Sequence, residues 1–135
     1  MEDADLQKKY LEYQLLQGQL NQTQKQLQLL DDQLVEVIYT QQSLDELKGI
    51  KPGTEVLVPV ISGIFATAKL GKVDELTVNV GAGTAVTKTI GSTKEMLAKQ
   101  LLEIQKLRAQ LAELAKQIEQ QMLARGQEIS GSMGE

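Results

Sequence analysis

The side chains with the strongest claim to chemistry are acidic and cluster closely. Asp31, Asp32 and Glu36 fall on one turn of a predicted helix, and Asp45 and Glu46 on another. Paired carboxylates can share general acid and base work where a cleft separates their pKa values. No cleft is predicted around these, and on the outer face of a long helix they are solvated charges. Gly81, Ala82 and Gly83 begin a G-x-G pattern, but position 86 is Val86 and the Lys88-Thr89 pair, preceded by Thr87 and not Gly, does not follow a P-loop pattern, so the stretch reads as a turn rather than a phosphate cradle. The chain contains no Cys and no His. Thiolate and imidazole metal sites, Cys nucleophiles and His-based triads are thereby excluded. No catalytic, cofactor-binding or metal-binding residue is assigned, no cofactor is expected, and the chain does not read as an enzyme.

The basic residues do not form a nucleic-acid stripe. Lys94, Lys99, Lys106, Arg108 and Lys116 alternate with Glu and apolar positions, and the formal net charge is −4. General affinity for nucleic acid needs an excess of Lys and Arg against phosphate, so none is expected. The first ten residues, MEDADLQKKY, are charged, and no apolar run approaches the ~18 residues that a membrane span needs. No membrane association and a cytoplasmic location are the expectations.

The elements that position all these residues are organised around the middle of the chain. VLVPV at 56–60 and IFATAKL at 64–70 are separated by Ile61, Ser62 and Gly63; ELTVNV at 75–80 and TAVTKTI at 84–90 are separated by Gly81, Ala82 and Gly83. Apolar and β-branched residues at alternate positions, with short Gly-containing breaks, predict two β-hairpins over 54–90. Val56, Val58 and Val60 share one face, as do Ile64, Ala66, Ala68 and Leu70 on the next strand and Leu76, Val78 and Val80 on the third, because side chains alternate with period two. Pro59 lacks an N–H and marks an edge strand or a bulge.

On either side the sequence predicts long helix. Leu6, Tyr13, Leu20, Leu27 and Leu34 fall seven apart, and Leu16, Leu30, Val37 and Leu44 form the second seam of a coiled-coil helix over 5–48, ~65 Å long. Lys9, Thr23 and Gln41 interrupt the seam, and Gly18 sits outward. Gly49, Pro52 and Gly53 end the helix. Ser92, three residues before Glu95, reads as a capping box that opens a second helix over 92–125. That helix carries Leu97, Ile104, Leu111 and Ile118 at heptad spacing, flanked by Leu101, Leu107, Leu114, Ala115 and Met122. Gly126 and the Gly- and Ser-rich ending predict a flexible tail over 126–135. Aromatics make up 3% of the chain, which disfavours an ordinary globular core and suits Leu seams between two antiparallel helices. The chain is the length of a single domain.

Two isolated hairpins are marginal in water, since about three strands with a covered apolar face are needed for stability. One narrow coiled coil covers little of a face built from Val56, Val58, Val60, Leu76, Val78 and Val80. The same segment of other subunits, closing a sheet or barrel, would cover it. The alternative is a monomer whose hairpins fold back onto the base of its own helices.

A long heptad helix, VLVPV, a Ser-Gly turn, a strand ending in Lys69 and Leu70, a connection containing Asp74, then LTVNVGAGTAVTKT and a second heptad helix: this order resembles the alpha-type subunits of the prefoldin family, over nearly the whole chain. The double hairpin distinguishes that class from the beta type. The resemblance implies an α+β fold, a long antiparallel coiled coil whose two hairpins join an oligomeric β-barrel platform. It implies an ATP-independent holding chaperone in a hexamer of two alpha-type and four beta-type subunits. Its partners would be beta-type subunits, non-native polypeptides and a group II chaperonin. Platform residues carry over as assembly contacts: Val56, Val58, Val60, Ile64, Ala66, Leu76, Val78, Val80 and Val86, within strands 56–60, 64–70, 76–80 and 85–90.

Client-binding positions follow no fixed motif and are argued from the heptads. Leu11 and Leu15 lie at f and c positions away from the seam, and Tyr10 at an e position beside it. Met122 and Leu123 close the second helix, with Ile129 and Met133 beyond. Tyr10, Leu11, Leu15, Met122 and Leu123 are the expected client contacts, Met being adaptable to many shapes. Leu29 and Leu102 are also off the seam, but far from the helix ends. The other class of function is a structural adaptor that oligomerises through its hairpins and tethers folded partners.

Overall fold

A computed structural model describes residues 3–133, with side chains through Gly131. The order of elements is α1 (Asp3–Lys48), β1 (Glu55–Ile61), β2 (Ile64–Lys69), β3 (Leu76–Gly81), β4 (Thr84–Lys88) and α2 (Ile90–Met133). The chain divides into two units: a helical one built from residues up to Leu34 and from Glu103 onward, and a mixed one, Val35–Leu102.

In the helical unit the heptad spacing does what it predicts. Leu6, Tyr13, Leu16, Leu20, Leu27, Leu30 and Leu34 turn inward, and Ala115, Ile118 and Ile129 are buried. The two helical segments run antiparallel, because Lys9 and Glu12 near the start of α1 meet Glu128 and Arg125 near the end of α2 (3.4 and 2.9 Å), while Arg108 meets Asp31. Thr23 interrupts the seam at only 5% exposure. Its hydroxyl donates to the Gln19 carbonyl at 2.8 Å, so the burial leaves no polar group unpaired. Lys9 is half-buried at the seam rather than simply exposed, and its ammonium reaches the Glu128 carboxylate.

In the mixed unit Val37, Leu44, Ile90 and Leu97 are buried, and Lys94 bonds Asp45. The strands form two separate antiparallel hairpins, β1 with β2 and β3 with β4. Val56 pairs Ala68 and Val58 pairs Ala66; the register slips between Pro59 and Ile61, which is the bulge expected near the proline. The first ladder extends past β2, since Leu70 donates to the Thr54 carbonyl at 2.8 Å. In the second hairpin Val78 pairs Val86, and the turn residues Ala82 and Gly83 both take positive φ, 51° and 73°. That is the hand of turn that matches strand twist. Gly81 donates to the Asn79 side chain at 2.9 Å, closing the second bulge.

Both ends of α2 differ from expectation. The helix starts two residues before Ser92: the Ser92 amide donates to Thr89 Oγ1 at 3.0 Å, and the Thr93 amide to the Thr89 carbonyl at 3.0 Å. Thr89 is therefore the N-cap, and the Ser92–Glu95 box is not what opens the helix. Ile90 consequently belongs to the helix and not to the fourth strand. At the other end the helix runs through the stretch expected to be a flexible tail. Ile129 falls seven residues after Met122 and is buried, and Arg125 reaches both Glu12 and Glu128. The seam simply continues past Gly126. The side chain of Met133, and residues 134–135 of the expected tail, lie outside the described residues.

Candidate assembly and client-binding surfaces

The hairpins leave their apolar side chains open. On the first, Val58, Val60 and Ile64 are exposed, with Val56 and Ala68 half-buried; on the second, Val80 is exposed, with Leu76, Val78 and Val86 half-buried. The residues expected at an assembly interface thus lie on paired strands, with Val58, Val60, Ile64, Ala66 and Val80 exposed and the other four half-buried. The two hairpins are not equivalent. The opposite face of the second is polar, with Thr77 paired to Thr87 and Asn79 to Ala85. The opposite face of the first carries Leu57, Pro59 and Phe65, and Leu57 and Phe65 are 69% and 58% exposed. Alternation along the sequence highlighted the valines and missed this second apolar face, whose signal was the unbroken apolar run from Val56 to Ile61.

At the end of the helical unit, where the start of α1 meets the end of α2, the five expected client contacts do not form one cluster. Met122 and Leu123 line a groove with Tyr13, Leu20 and Gly126. Leu15 lines a different groove with Glu12, Gln19, Gln121 and Arg125. The heptad explains the split: Leu15 is a c position beside the g flank of α1, whereas Leu123 stands beside the opposite, e flank of the pair. Leu11, at an f position, and Tyr10 line neither groove. Leu15 and Leu123 are 61% and 63% exposed, so each offers a branched apolar side chain to solvent. The heptad pattern assigns Tyr13 and Leu20 to the seam alone. Their rings and methyls also form a groove wall because Gly126 leaves the facing position without a side chain, 3.7 Å from the Tyr13 ring.

Charge at this end is paired. Arg125 bridges Glu12 and Glu128, and Lys9 joins the same carboxylate group at 3.4 Å. Further along, the Asp31 carboxylate raises the pKa of Arg108 above its ordinary value, by its hydrogen bond first and its charge second. A raised value adds stability below that of the unfolded chain and loses it only at higher pH, so this cation stays charged throughout the physiological range. Among the described residues no helix is long and apolar enough to cross a membrane.

A family model described as "Prefoldin subunit" matches residues 16–132. Prefoldin subunit alpha of Pyrococcus horikoshii is 36% identical over 123 residues, spanning 86% of this chain and 82% of that protein. The Thermofilum pendens protein of the same name is 27% identical, over 90% of this chain and 92% of its own length. Among solved structures, a filamentous PFD from Methanocaldococcus jannaschii shares the fold, with a TM-score of 0.75 at 19% identity over 83% of this chain and 93% of that one. The family match over most of the chain and the extent of its likeness to the alpha subunits place the chain in the prefoldin family, as an alpha-type chaperone subunit and not an enzyme.

Proposed function

We propose that the chain assembles through β1 to β4 with beta-type prefoldin subunits, two alpha-type with four beta-type, and closes a β-barrel platform with them. The complex holds non-native polypeptides at the free ends of its helical units without ATP and passes them to a group II chaperonin in the cytoplasm. The observation that carries the reading is the placement of exposed leucines, Leu15 and Leu123, on both helices of the pair where the termini meet, outside the seam that the pair needs for itself. Apolar groups there gain nothing from the partner helix, while an unfolded chain offers them burial worth up to ~2 kcal/mol per side chain. Uncovered valines on both hairpins support the assembly half of the reading.

The test combines Leu11→Ser, Leu15→Ser, Met122→Ser and Leu123→Ser in the assembled complex. Suppression of light scattering from a denatured model protein, measured without nucleotide, is expected to disappear while native mass spectrometry still finds the hexamer. Suppression that survives in the intact hexamer places the client elsewhere. A tether would instead bind one folded partner stoichiometrically and leave scattering unchanged in the unmodified complex.

A further inference from the structure

One flank of the helical unit carries more than the seam requires. On α1 its residues are Leu15, Gln19, Gln22, Gln26, Leu29 and Gln33, and on α2 the facing g and c positions are Leu107, Gln110, Leu114, Gln117 and Gln121. None is charged. The opposite flank carries Asp31, Lys116 and Glu119 at equivalent places. At the end of the uncharged stretch farthest from the termini lies a groove of about 570 Å³ walled by Gln26, Leu29, Leu30 and Gln33 from α1. Its other wall is Leu107, Gln110, Leu111 and Leu114 from α2. Leu30 and Leu111 belong to the seam, but Leu29, Leu107 and Leu114 are 62%, 50% and 44% exposed.

The outer groove beside Leu15 has the same plan. Glu12, Leu15, Leu16 and Gln19 stand 14 residues before Gln26, Leu29, Leu30 and Gln33, and Gln121 and Arg125 stand 14 after Leu107 and Leu111. The two grooves therefore share the plan of their α1 wall, two heptads apart on one face with Gln22 between them, while on α2 Gln121 and Arg125 stand in the outer groove where Leu107 and Leu111 stand in the inner one. They differ in charge: the outer one holds the Glu12–Arg125 ion pair, the inner one has no ionisable lining residue.

We propose that the inner groove is a second client seat, taking an uncharged apolar stretch of the same non-native polypeptide held at the outer groove. This rests on the tip reading above. The lining selects such an occupant. Leucines offer burial, and each glutamine amide both donates and accepts, matching the unpaired N–H and C=O groups of an unfolded backbone. A charged segment would find no counter-ion there. Continuity of the face fixes the spacing. Two heptads of helix rise ~21 Å, which an extended chain covers in about six residues at ~3.4 Å each. A client with two apolar clusters about six residues apart engages both seats, and the second contact becomes intramolecular, raising affinity well beyond either alone.

The experiment uses the assembled complex and two synthetic fluorescent peptides. One carries a single Leu-Val-Phe cluster; the other carries two such clusters separated by six Ser and Gly residues. The two-cluster peptide is expected to bind about tenfold more tightly or better. Combined Leu29→Gln, Leu107→Gln and Leu114→Gln should remove that gain, leaving the single-cluster peptide bound at the outer groove and the hexamer unchanged. Glutamine keeps the helix propensity of leucine at these exposed positions. A variant that retains the gain overturns the proposal. So does loss of the hexamer in the variant, or shaft-to-shaft cross-links through the groove in the client-free complex, since either assigns the groove to a second copy. The tip reading is tested separately by the Leu11, Leu15, Met122 and Leu123 variant, which should remove binding of the single-cluster peptide at the outer groove while the inner groove is intact.

Discussion

Replacing Gly126 by Ala tests whether the last turns of α2 pack on α1. Glycine in a helix interior costs ~1 kcal/mol relative to alanine. The added methyl would sit 3.7 Å from the Tyr13 ring, an ordinary contact that demands no shift of either helix. Gly126 is half-buried, so about half of the ~0.8 kcal/mol expected for a buried methylene is gained as well. The sum is ~1.4 kcal/mol, or about a tenfold smaller opening equilibrium for the segment. Hydrogen exchange at the amides of Gln127 to Ser130 reads that equilibrium directly, because these residues lie in the turns beyond the substitution. The matched control is Gly18→Ala, where no atom lies within 4 Å of the new methyl and only the propensity part should appear, away from this end. Exchange at 127–130 that is equally fast in both proteins, near the rate of a free peptide, would refute the packing of this segment and restore a loose tail.

Two further outcomes follow from the hairpins. Val58→Asp places a carboxylate in the middle of the exposed face of β1 and β2, where the proposed assembly would bury it unpaired; a penalty of ~4 kcal/mol lowers association about a thousandfold, visible as loss of the oligomer by native mass spectrometry with helical circular dichroism retained. Ala82→Asn relieves an alanine held at φ 51° and creates the Asn-Gly pair that this turn favours; stability of the second hairpin should rise by ~1 kcal/mol, measured as slower amide exchange in β3 and β4 without change in assembly.

The seam was legible because a period of seven over several turns admits one arrangement: every Leu and Val assigned to the seam of α1 turns inward, and two of the three interrupting polar residues are accounted for by bonds to Gln19 and Glu128. The hairpins were legible from their turns, since Gly63 and Gly83 take the positive φ that their residue type permits. Local composition misled at the ends of α2. Glycine and serine suggested a tail, yet Ile129 keeps the heptad and Arg125 finds Glu12, so tertiary contact outweighs weak propensity. Ser92 and Glu95 fit a capping pattern, but Thr89 sits where the last strand releases the chain and its hydroxyl accepts from the Ser92 amide. The split of the tip leucines onto two flanks was implicit in their c and b positions. What single-residue exposure could not reveal was the 14-residue recurrence of the grooves, which needs both helices in register at once.

The first hairpin, apolar on both sides, has a bearing on how such a subunit must be made. A copy synthesised without partners carries Leu57, Phe65 and Ile61 into water together with the free rims of a two-stranded ribbon. Such ribbons invite stacking with their own kind. Supply of this chain must therefore be matched to that of its companions, because a surplus of the very molecule that guards others from clumping is itself prone to it.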